Sequence, residues 1–166
     1  MKKADSGKGT PKASRPHMPG YGMPRGTRGL LTWAWAEKRL LASHNYYLTT
    51  VRPDGTPHVM PLWAIWVDGR LYFSTGAKSV KARNLAANPA CVVCTDHVAE
   101  AVVVEGTAAP MADAARLTQI APHYAKKYKS YTLDPKMGPI FEVRPRVVFG
   151  LSEKDFKNTT RWMFAE

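Results

Sequence analysis

The sequence predicts a mainly β protein, in which antiparallel strands form a small Greek-key-like barrel and helices pack outside it. Short runs rich in β-branched and aromatic residues recur along the 166 residues, and turns that contain Asp-Gly join neighbouring runs. Helical periodicity is confined to three segments. The length is that of one domain with a sizeable core.

The first helix and the hairpin after it are predicted from spacing and turn residues. Apolar residues recur at helical intervals over Leu30–Ser43, where Thr32 is in position to cap the first turn. Tyr46–Arg52 and Pro57–Val67 are rich in strand-forming residues, and Pro53-Asp54-Gly55 between them has the residues of a tight turn. We therefore expect a β-hairpin directly after the helix.

Both faces of the second hairpin strand are apolar. Alternate residues of Pro57–Val67 form one face that includes Trp63 and another that includes Trp66. The barrel interior covers one face, so the other needs a partner subunit or a planar ligand. Pro61 interrupts the hydrogen-bond ladder, which places it at a sheet edge or at a bulge, and a bulge would leave backbone amides free for a ligand.

Further strands and one more long helix complete the predicted barrel. Asp68-Gly69 provides another tight turn, and Pro145 interrupts the longest strand, which is therefore expected to bend. The remaining predicted strands are Arg70–Thr75, Ala90–Asp96, Ala101–Ala109 and Gly138–Ser152, and the remaining long helix is Met111–Tyr128. The last stretch, Thr159–Phe164, is short and ends on an aromatic pair.

The transition from strand to helix at Leu71–Leu85 predicts a binding site for an anion. The strand ends at Ser74–Gly76, a short helix begins near Ser79, and Asn88-Pro89 closes that helix. Four hydroxyl or cationic residues lie near the helix N-terminus, where free backbone N–H groups and the helix dipole favour a phosphate. This set, called the anion corner below, is Thr75, Ser79, Lys81 and Arg83. Taken alone, the same residues also fit a capped helix with solvated cations.

Most of the positive charge lies in an N-terminal tail. Of the net charge of +11, residues 1–28 carry +6, and this segment is rich in Gly, Pro and Lys. We expect 1–28 to be a basic, flexible tail, disordered or laid over the surface, and 29–166 to be the folded domain. The tail has no aromatic interleaving and no nucleic-acid-binding module, which argues against a nucleic-acid partner.

A cytoplasmic location is the expectation, because the sequence has neither a membrane-length apolar run nor an apolar secretory stretch.

The sequence offers no metal site and no catalytic constellation. Cys91 and Cys94 form a C-x-x-C pair, but in a strand residues three apart point to opposite faces, so we expect two reduced thiols. The five histidines are scattered singly, and no nucleophile–base spacing or glycine-rich nucleotide motif is present. No catalytic residue is identified from the sequence.

The motifs resemble those of a known superfamily. The chain is similar to the pyridoxamine-phosphate-oxidase-like split barrels, and within them to the B-type flavin/deazaflavin oxidoreductases that depend on coenzyme F420. The similarity lies in the order of its motifs, which is RPDGTPHVMPLW, a strand, DGRLYFSTG, SVKARNLAANP and another strand. The ending TRWMF resembles that of the same group. The resemblance covers roughly Leu30 to Phe164 and implies a split β-barrel of the FMN-binding type, assembled as a homodimer with cofactor sites at the interface.

The resemblance also assigns the cofactor-binding residues. The anion corner matches the positions that hold the cofactor phosphate, residues 60–63 match the strand beside the tricyclic ring, and Trp162 would approach the ring from the other subunit. The full set is Met60, Pro61, Leu62, Trp63, Ser74, Thr75, Lys78, Ser79, Lys81, Ala82, Arg83 and Trp162. Val80 stands where flavin-binding oxidases commonly carry arginine, which argues against FMN, whereas Arg83 fits the deazaflavin pattern.

Four functions stay open at this point. The first is hydride transfer between coenzyme F420 and a small unsaturated organic substrate, with the proton coming from His58, a tyrosine or solvent. The second is the same chemistry with FMN. The third is a non-catalytic flavin, deazaflavin or haem binder, for which His58 is the candidate axial ligand. The fourth is an interaction protein that uses the basic tail.

Overall fold

Nine strands, three α-helices and one 3-10 helix form the part of the chain described by the structure, a computed structural model of residues 10–129 and 131–165. The helices are α1 (Trp33–Ala42), α2 (Val80–Ala87) and α3 (Ala114–Tyr128), and the 3-10 helix is Phe156–Asn158. The strands are β1 (Lys12–Ser14), β2 (Tyr46–Val51), β3 (Pro57–Leu62), β4 (Ile65–Val67), β5 (Arg70–Ser74), β6 (Ala90–Thr95), β7 (Glu100–Pro110), β8 (Ile140–Ser152) and β9 (Thr160–Met163).

The strands form one antiparallel sheet, which confirms the predicted mainly β class. Neighbouring strands follow the order β1-β9-β8-β7-β6-β2-β3, and β5 pairs with both β4 and β8. All the pairings are antiparallel. The arrangement is that of a split barrel closed by helices.

The split lies along β8. One edge of β8 pairs with β7 over nearly its whole length, while the other edge pairs with β5 at residues 140–143 and with β9 at residues 147–150. Pro145 falls between these two pairings, and the β7–β8 register shifts opposite it, between Glu105 and Gly106. A Cβ added to Gly106 would lie 2.1 Å from the Arg144 carbonyl oxygen, so only glycine fits beside this irregularity. β8 continues as one strand through Pro145, so the predicted break takes the form of this register shift only.

The hairpin forms as predicted, but its second strand is shorter. Tyr46 pairs with Leu62 and the register continues without a shift to Val51 and Pro57. Pro61 therefore lies on an edge strand and not at a bulge.

The prediction of one strand over Pro57–Val67 is wrong, because the chain leaves the β3 line at Trp63 and Ala64. The Ala64 N–H donates to the Tyr128 hydroxyl of α3 at 3.0 Å, so this amide does not continue the ladder.

Each α-helix begins at a capping side chain. Thr32 accepts from the Trp35 N–H, Ser79 from the Ala82 N–H and Asp113 from the Arg116 N–H. The first two caps were predicted. The third starts α3 at Ala114, three residues later than predicted. None of these helices of the described chain is long and apolar enough to cross a membrane.

Two apolar clusters lie on opposite sides of the sheet. The larger cluster fills the barrel and is covered by α1 and α2. Leu40 and Tyr46 are fully buried members of it. The smaller one lies where α3 packs over β4 and β5; its buried members are Ile65, Val67, Tyr72, Ile120, Tyr124, Tyr128, Leu133 and Ile140. The sheet is thus covered on its outer side by α3 only near β4, β5 and the start of β8.

Part of the segment expected to be a flexible tail is a strand. β1 pairs with β9, with Lys12 opposite Met163 and Ser14 opposite Arg161, and it covers the ladder edge that β9 would otherwise expose. The next residue, Arg15, donates to the Lys157 carbonyl and, at 2.5 Å, to the Arg28 carbonyl. The expectation of a tail up to residue 28 therefore fails at residues 12–15, while residues 1–9 lie outside the described chain.

The two cysteines are free, as predicted. Both lie on β6, where Cys91 is buried and Cys94 is half-buried. Burial raises the pKa of the Cys91 thiol to about 12, so this thiol is protonated and unreactive near neutral pH.

A buried carboxylate joins β5 to β8. Arg70 and Arg144 donate to Glu142 Oε1 at 2.5 and 2.7 Å, and the Tyr72 hydroxyl donates to Oε2 at 3.0 Å. Burial alone would raise the pKa of Glu142, but these hydrogen bonds outweigh burial and lower it to about 2. Glu142 therefore carries a charge throughout the ordinary pH range and fixes the two strands together.

Replacing Glu142 by glutamine should lower the free energy of unfolding by about 2 kcal/mol near neutral pH, because Arg70 loses a charged acceptor. The folded pKa lies below the ordinary 4.5, so the carboxylate's contribution is complete above about pH 4.5 and declines as the pH falls toward 2. Urea unfolding at about pH 7 and about pH 3 measures this. The difference between wild type and variant should shrink on acidification, and an unchanged difference would contradict the assignment.

Candidate functional site

The anion corner forms as the sequence predicts. Ser79 caps α2, and its Oγ accepts from the Ala82 N–H and lies 3.2 Å from Thr75 Oγ1. The Ser79 N–H donates to the Gly76 carbonyl at 3.0 Å, which tightens the turn from β5 into α2. Two hydroxyls are thus held side by side at a helix N-terminus, where the dipole favours a negative charge.

The cations around the corner have no acidic partners. Within the described part of the chain, the ion pairs involve Glu100, Glu142 and Asp68, and none includes Lys78, Lys81 or Arg83. Lys81 is half-buried, whereas Lys78 and Arg83 are exposed. Three unpaired cations next to two hydroxyls attract an anion from solvent.

A buried polar contact brings α2 against the hairpin. Asn84 is 3% exposed, and its side-chain amide donates to Thr50 Oγ1 at 3.0 Å. Thr50 is paired with His58 of β3, and Met60 lies two residues along the same face. Lys81, one helical turn before Asn84, therefore projects on the side of α2 nearest this face. The helix of the anion corner is thus held against β2, the strand that pairs with the edge strand β3.

The edge-strand residues differ in exposure. Met60 is 42% exposed and Pro61 is also exposed, while Leu62 packs against the barrel core. Since β3 pairs only with β2, its outer backbone edge is open along the whole strand. The residues from 60 to 62 therefore offer both apolar side chains and backbone groups to a ligand.

Trp63 lies at the end of this strand in a cluster of aromatic rings. It stacks on Tyr128 with ring centres 4.7 Å apart and meets Tyr131 edge-on at 4.9 Å. His44 approaches both Trp63 and Tyr128. The indole is half-buried, so it presents a partly exposed aromatic wall, and its predicted place beside a cofactor ring stays a prediction.

Lys127 was not anticipated from the sequence. Its Nζ donates to the Tyr46 hydroxyl at 2.8 Å and to the Ala64 carbonyl at 2.9 Å, beside Trp63. Burial lowers the pKa of Lys127 to about 8. Together with the Tyr128 hydroxyl it fixes the chain at the break between β3 and β4. A lysine at the end of an amphipathic helix gives no sequence signal for such a role.

Trp162 does not reach the site within one chain. It is 1% exposed, it packs edge-on against Trp33, and its ring atoms lie 2.8 Å from where a Cβ of Gly150 would be. The expectation of a ring-side contact is therefore corrected: β9 turns this side chain into the barrel core, and the residue next to it, Met163, faces outward.

The chemistry of the donor set fits a phosphate-bearing cofactor. Hydroxyls, cations without a described acidic partner and a helix N-terminus occur together in the anion corner, and the same domain presents an apolar edge strand and a partly exposed aromatic wall. Among the described residues, no three His, Cys, Asp or Glu side chains come together as metal ligands would. The site can bind an anion and a planar ring.

Comparison with known proteins identifies a matching family. A family model described as pyridoxamine 5'-phosphate oxidase matches residues 35–151. A solved structure named F420 reductase is 27% identical, over 76% of this chain and 98% of its own, with a TM-score of 0.53. No curated protein matches the chain.

Two further solved structures share the fold at lower identity. A FAD-binding protein from Mesorhizobium loti is 20% identical over 79% of this chain and 94% of its own, with a TM-score of 0.58. A heme binding protein from Mycobacterium smegmatis is 18% identical over 81% of this chain and 59% of its own, with a TM-score of 0.62.

Proposed function

The chain belongs to the pyridoxamine 5'-phosphate oxidase family, and from this we propose that it is an oxidoreductase that uses the deazaflavin coenzyme F420 to reduce a small unsaturated organic substrate. The observation that carries the proposal is the anion corner, where two hydroxyls lie 3.2 Å apart at a helix N-terminus and the cations pair with no described carboxylate. The exposed apolar edge strand β3 offers a surface for a ring. This combination suits a cofactor with a phosphate at one end and a planar ring at the other.

Each part of the site has its own role in the proposal. Lys81 and Arg83 neutralise the phosphate while Thr75 and Ser79 donate hydrogen bonds to it. Residues 60–63 lie along the ring, and Lys78 attracts the anionic remainder of the cofactor. Hydride transfer is the chemistry that such a ring supplies when bound, and the chain's part is to orient it and to exclude water.

The first turn of α2 supports deazaflavin over FMN. Val80 is half-buried and apolar at the position where flavin-binding oxidases commonly carry arginine. The cations that remain, Lys81 and Arg83, follow the spacing of the deazaflavin group. The 27% identity to a structure named F420 reductase agrees with this choice.

The haem alternative has less support from the surroundings of His58. Its Nδ1 lies 3.1 Å from an Arg52 guanidinium nitrogen, and Arg52 also donates to the Pro57 carbonyl. An axial histidine in an apolar pocket would not have a cation as its immediate neighbour.

We also propose a homodimer, because a row of apolar residues crosses five strands on the outer face of the sheet. One row that follows the strand register consists of Pro61, Tyr47, Cys94, Val103 and Phe149. Tyr47 is 47% exposed, and Val59 in the next row is 55% exposed. A second copy of the chain would cover this face and bring two sites to one interface.

Titration of the purified protein with F420, FMN and haem tests the proposal. Fluorescence should show micromolar or tighter binding of F420 and weaker binding of FMN, and sedimentation should give twice the mass of one chain. Preference for FMN would move the protein to the flavin-dependent oxidases. Binding of haem alone, or of none of the three, would overturn the oxidoreductase assignment.

A further inference from the structure

Residues 131–139, which lie between α3 and β8, contact the anion corner at Thr75 and the neighbouring Gly76. The Thr75 N–H donates to the Pro139 carbonyl at 3.3 Å. At the residue before it, a Cβ added to Gly138 would lie 2.3 Å from the Thr75 carbonyl oxygen and 3.5 Å from the Gly76 Cα. No side chain fits into this contact, so the close approach depends on glycine.

The far side of the segment is held firmly. Leu133 is 4% exposed in the cluster beneath α3, and Ile140, where β8 begins, is 2% exposed. Between them a turn is closed by the Asp134 carbonyl, which accepts from the Met137 N–H at 3.0 Å. The side chain of Asp134 accepts in addition from the Lys136 N–H at 2.9 Å.

The corner side is held less firmly. Residues 76–78 are exposed, and the one hydrogen bond that closes their turn runs from the Ser79 N–H to the Gly76 carbonyl. A side chain at position 138 would therefore move Thr75 and Gly76 more readily than it would move Leu133 or Ile140.

We propose that Gly138 is a positioning residue for the anion corner: its lack of a side chain lets segment 131–139 hold the Thr75 backbone, and this sets the Thr75 hydroxyl beside Ser79. The proposal rests on the proposed function, since it assigns to the corner the cofactor phosphate. Phosphate recognition thus depends on Gly138, which lies more than fifty positions from the anion corner in the sequence and itself contacts no ligand.

Two pairs of ligands that differ in the phosphate test this role: F420 with its phosphate-free deazaflavin core, and FMN with riboflavin. For each pair, the ratio of the two dissociation constants measures what the phosphate adds to binding. In the Gly138→Ala protein this ratio should fall about tenfold, because a displaced Thr75 no longer donates to the phosphate. The phosphate-free member of the pair should bind almost as it does to wild type.

A second variant tests the same proposal if the Gly138→Ala protein does not fold. Pro139→Gly retains the carbonyl that holds Thr75 but loosens the segment, and the ratio should fall by a smaller factor, about threefold. Thr132→Ala, an exposed change in the same segment, should leave the ratio as in wild type.

Gly106→Ala separates positioning from general destabilisation. It introduces a backbone clash of the same kind, 2.1 Å from the Arg144 carbonyl oxygen, at the β7–β8 irregularity. A merely structural effect would weaken both members of a ligand pair equally and leave the ratio unchanged. If wild type prefers the phosphate-bearing ligand and the ratio of dissociation constants is unchanged in Gly138→Ala, this inference is wrong while the proposed function stands. Binding of neither pair by wild type would overturn the proposed function and this inference together.

Discussion

Replacing Trp162 by alanine should lower the free energy of unfolding by about 4 kcal/mol, a value within the range found when large aromatic side chains are removed from cores. The indole is 1% exposed, packs edge-on against Trp33 at 5.6 Å, and has two ring atoms 2.8 Å from where a Cβ of Gly150 would be. Its loss leaves a cavity that the rigid strands β8 and β9 cannot close. The midpoint and slope of urea unfolding measure the effect.

Two further variants sharpen this test. Leu41→Ala removes an apolar side chain that is 57% exposed, and it should change stability by less than about 1 kcal/mol. Trp162→Phe keeps much of the apolar volume and should cost clearly less than the alanine change. If Trp162→Ala instead left stability intact and weakened cofactor binding, the side chain would be a ring contact, as the sequence first indicated.

Removing the two corner cations together, as Lys81→Ala with Arg83→Ala, should weaken F420 binding at least about a hundredfold, because each charge-assisted hydrogen bond contributes about 1.5–3 kcal/mol. Neither side chain forms an ion pair with a described carboxylate, so folding loses little when they are removed. Fluorescence titration gives the dissociation constant, and thermal unfolding verifies that the variant remains folded.

Overall charge provides the control for this experiment. Lys154→Ala with Lys157→Ala removes the same two positive charges from exposed positions at the 3-10 helix, where no part of the proposed site lies. That variant should bind F420 within about twofold of wild type at ordinary ionic strength, because distant surface charges are screened. An affinity loss of less than about twofold in the corner variant would show that the phosphate binds elsewhere.

Local chemistry made the turns and helix starts predictable. Asp68 and Gly69 adopt the positive φ angles of 50° and 75° that a tight Asp-Gly turn needs, and Gly55 does so at 84°. Ser79 caps α2 through its own side chain, so its role depends only on neighbours within four residues. The same locality explains why the anion corner could be placed from sequence.

Features that depend on distant residues could not be predicted. The break between β3 and β4 results from Tyr128, more than sixty residues downstream, which binds the Ala64 amide. Alternation along β9 shows that Trp162 and Met163 face opposite ways, but it does not show which of them faces the core. Lys127 and Gly138 act through contacts with chain segments far away in sequence, and neither residue type signals this.

The pairing of β1 with β9 also determines the order in which the fold can be completed. Lys12–Ser14 lies opposite Arg161–Met163, so the first described strand finds its partner only when the last one has been synthesised. Loop closure over such a distance is entropically unfavourable until the intervening strands have assembled. During translation β1 must therefore wait unpaired while β2 to β8 form the barrel. The sheet edge along β9 is then covered by the described strand that was synthesised earliest.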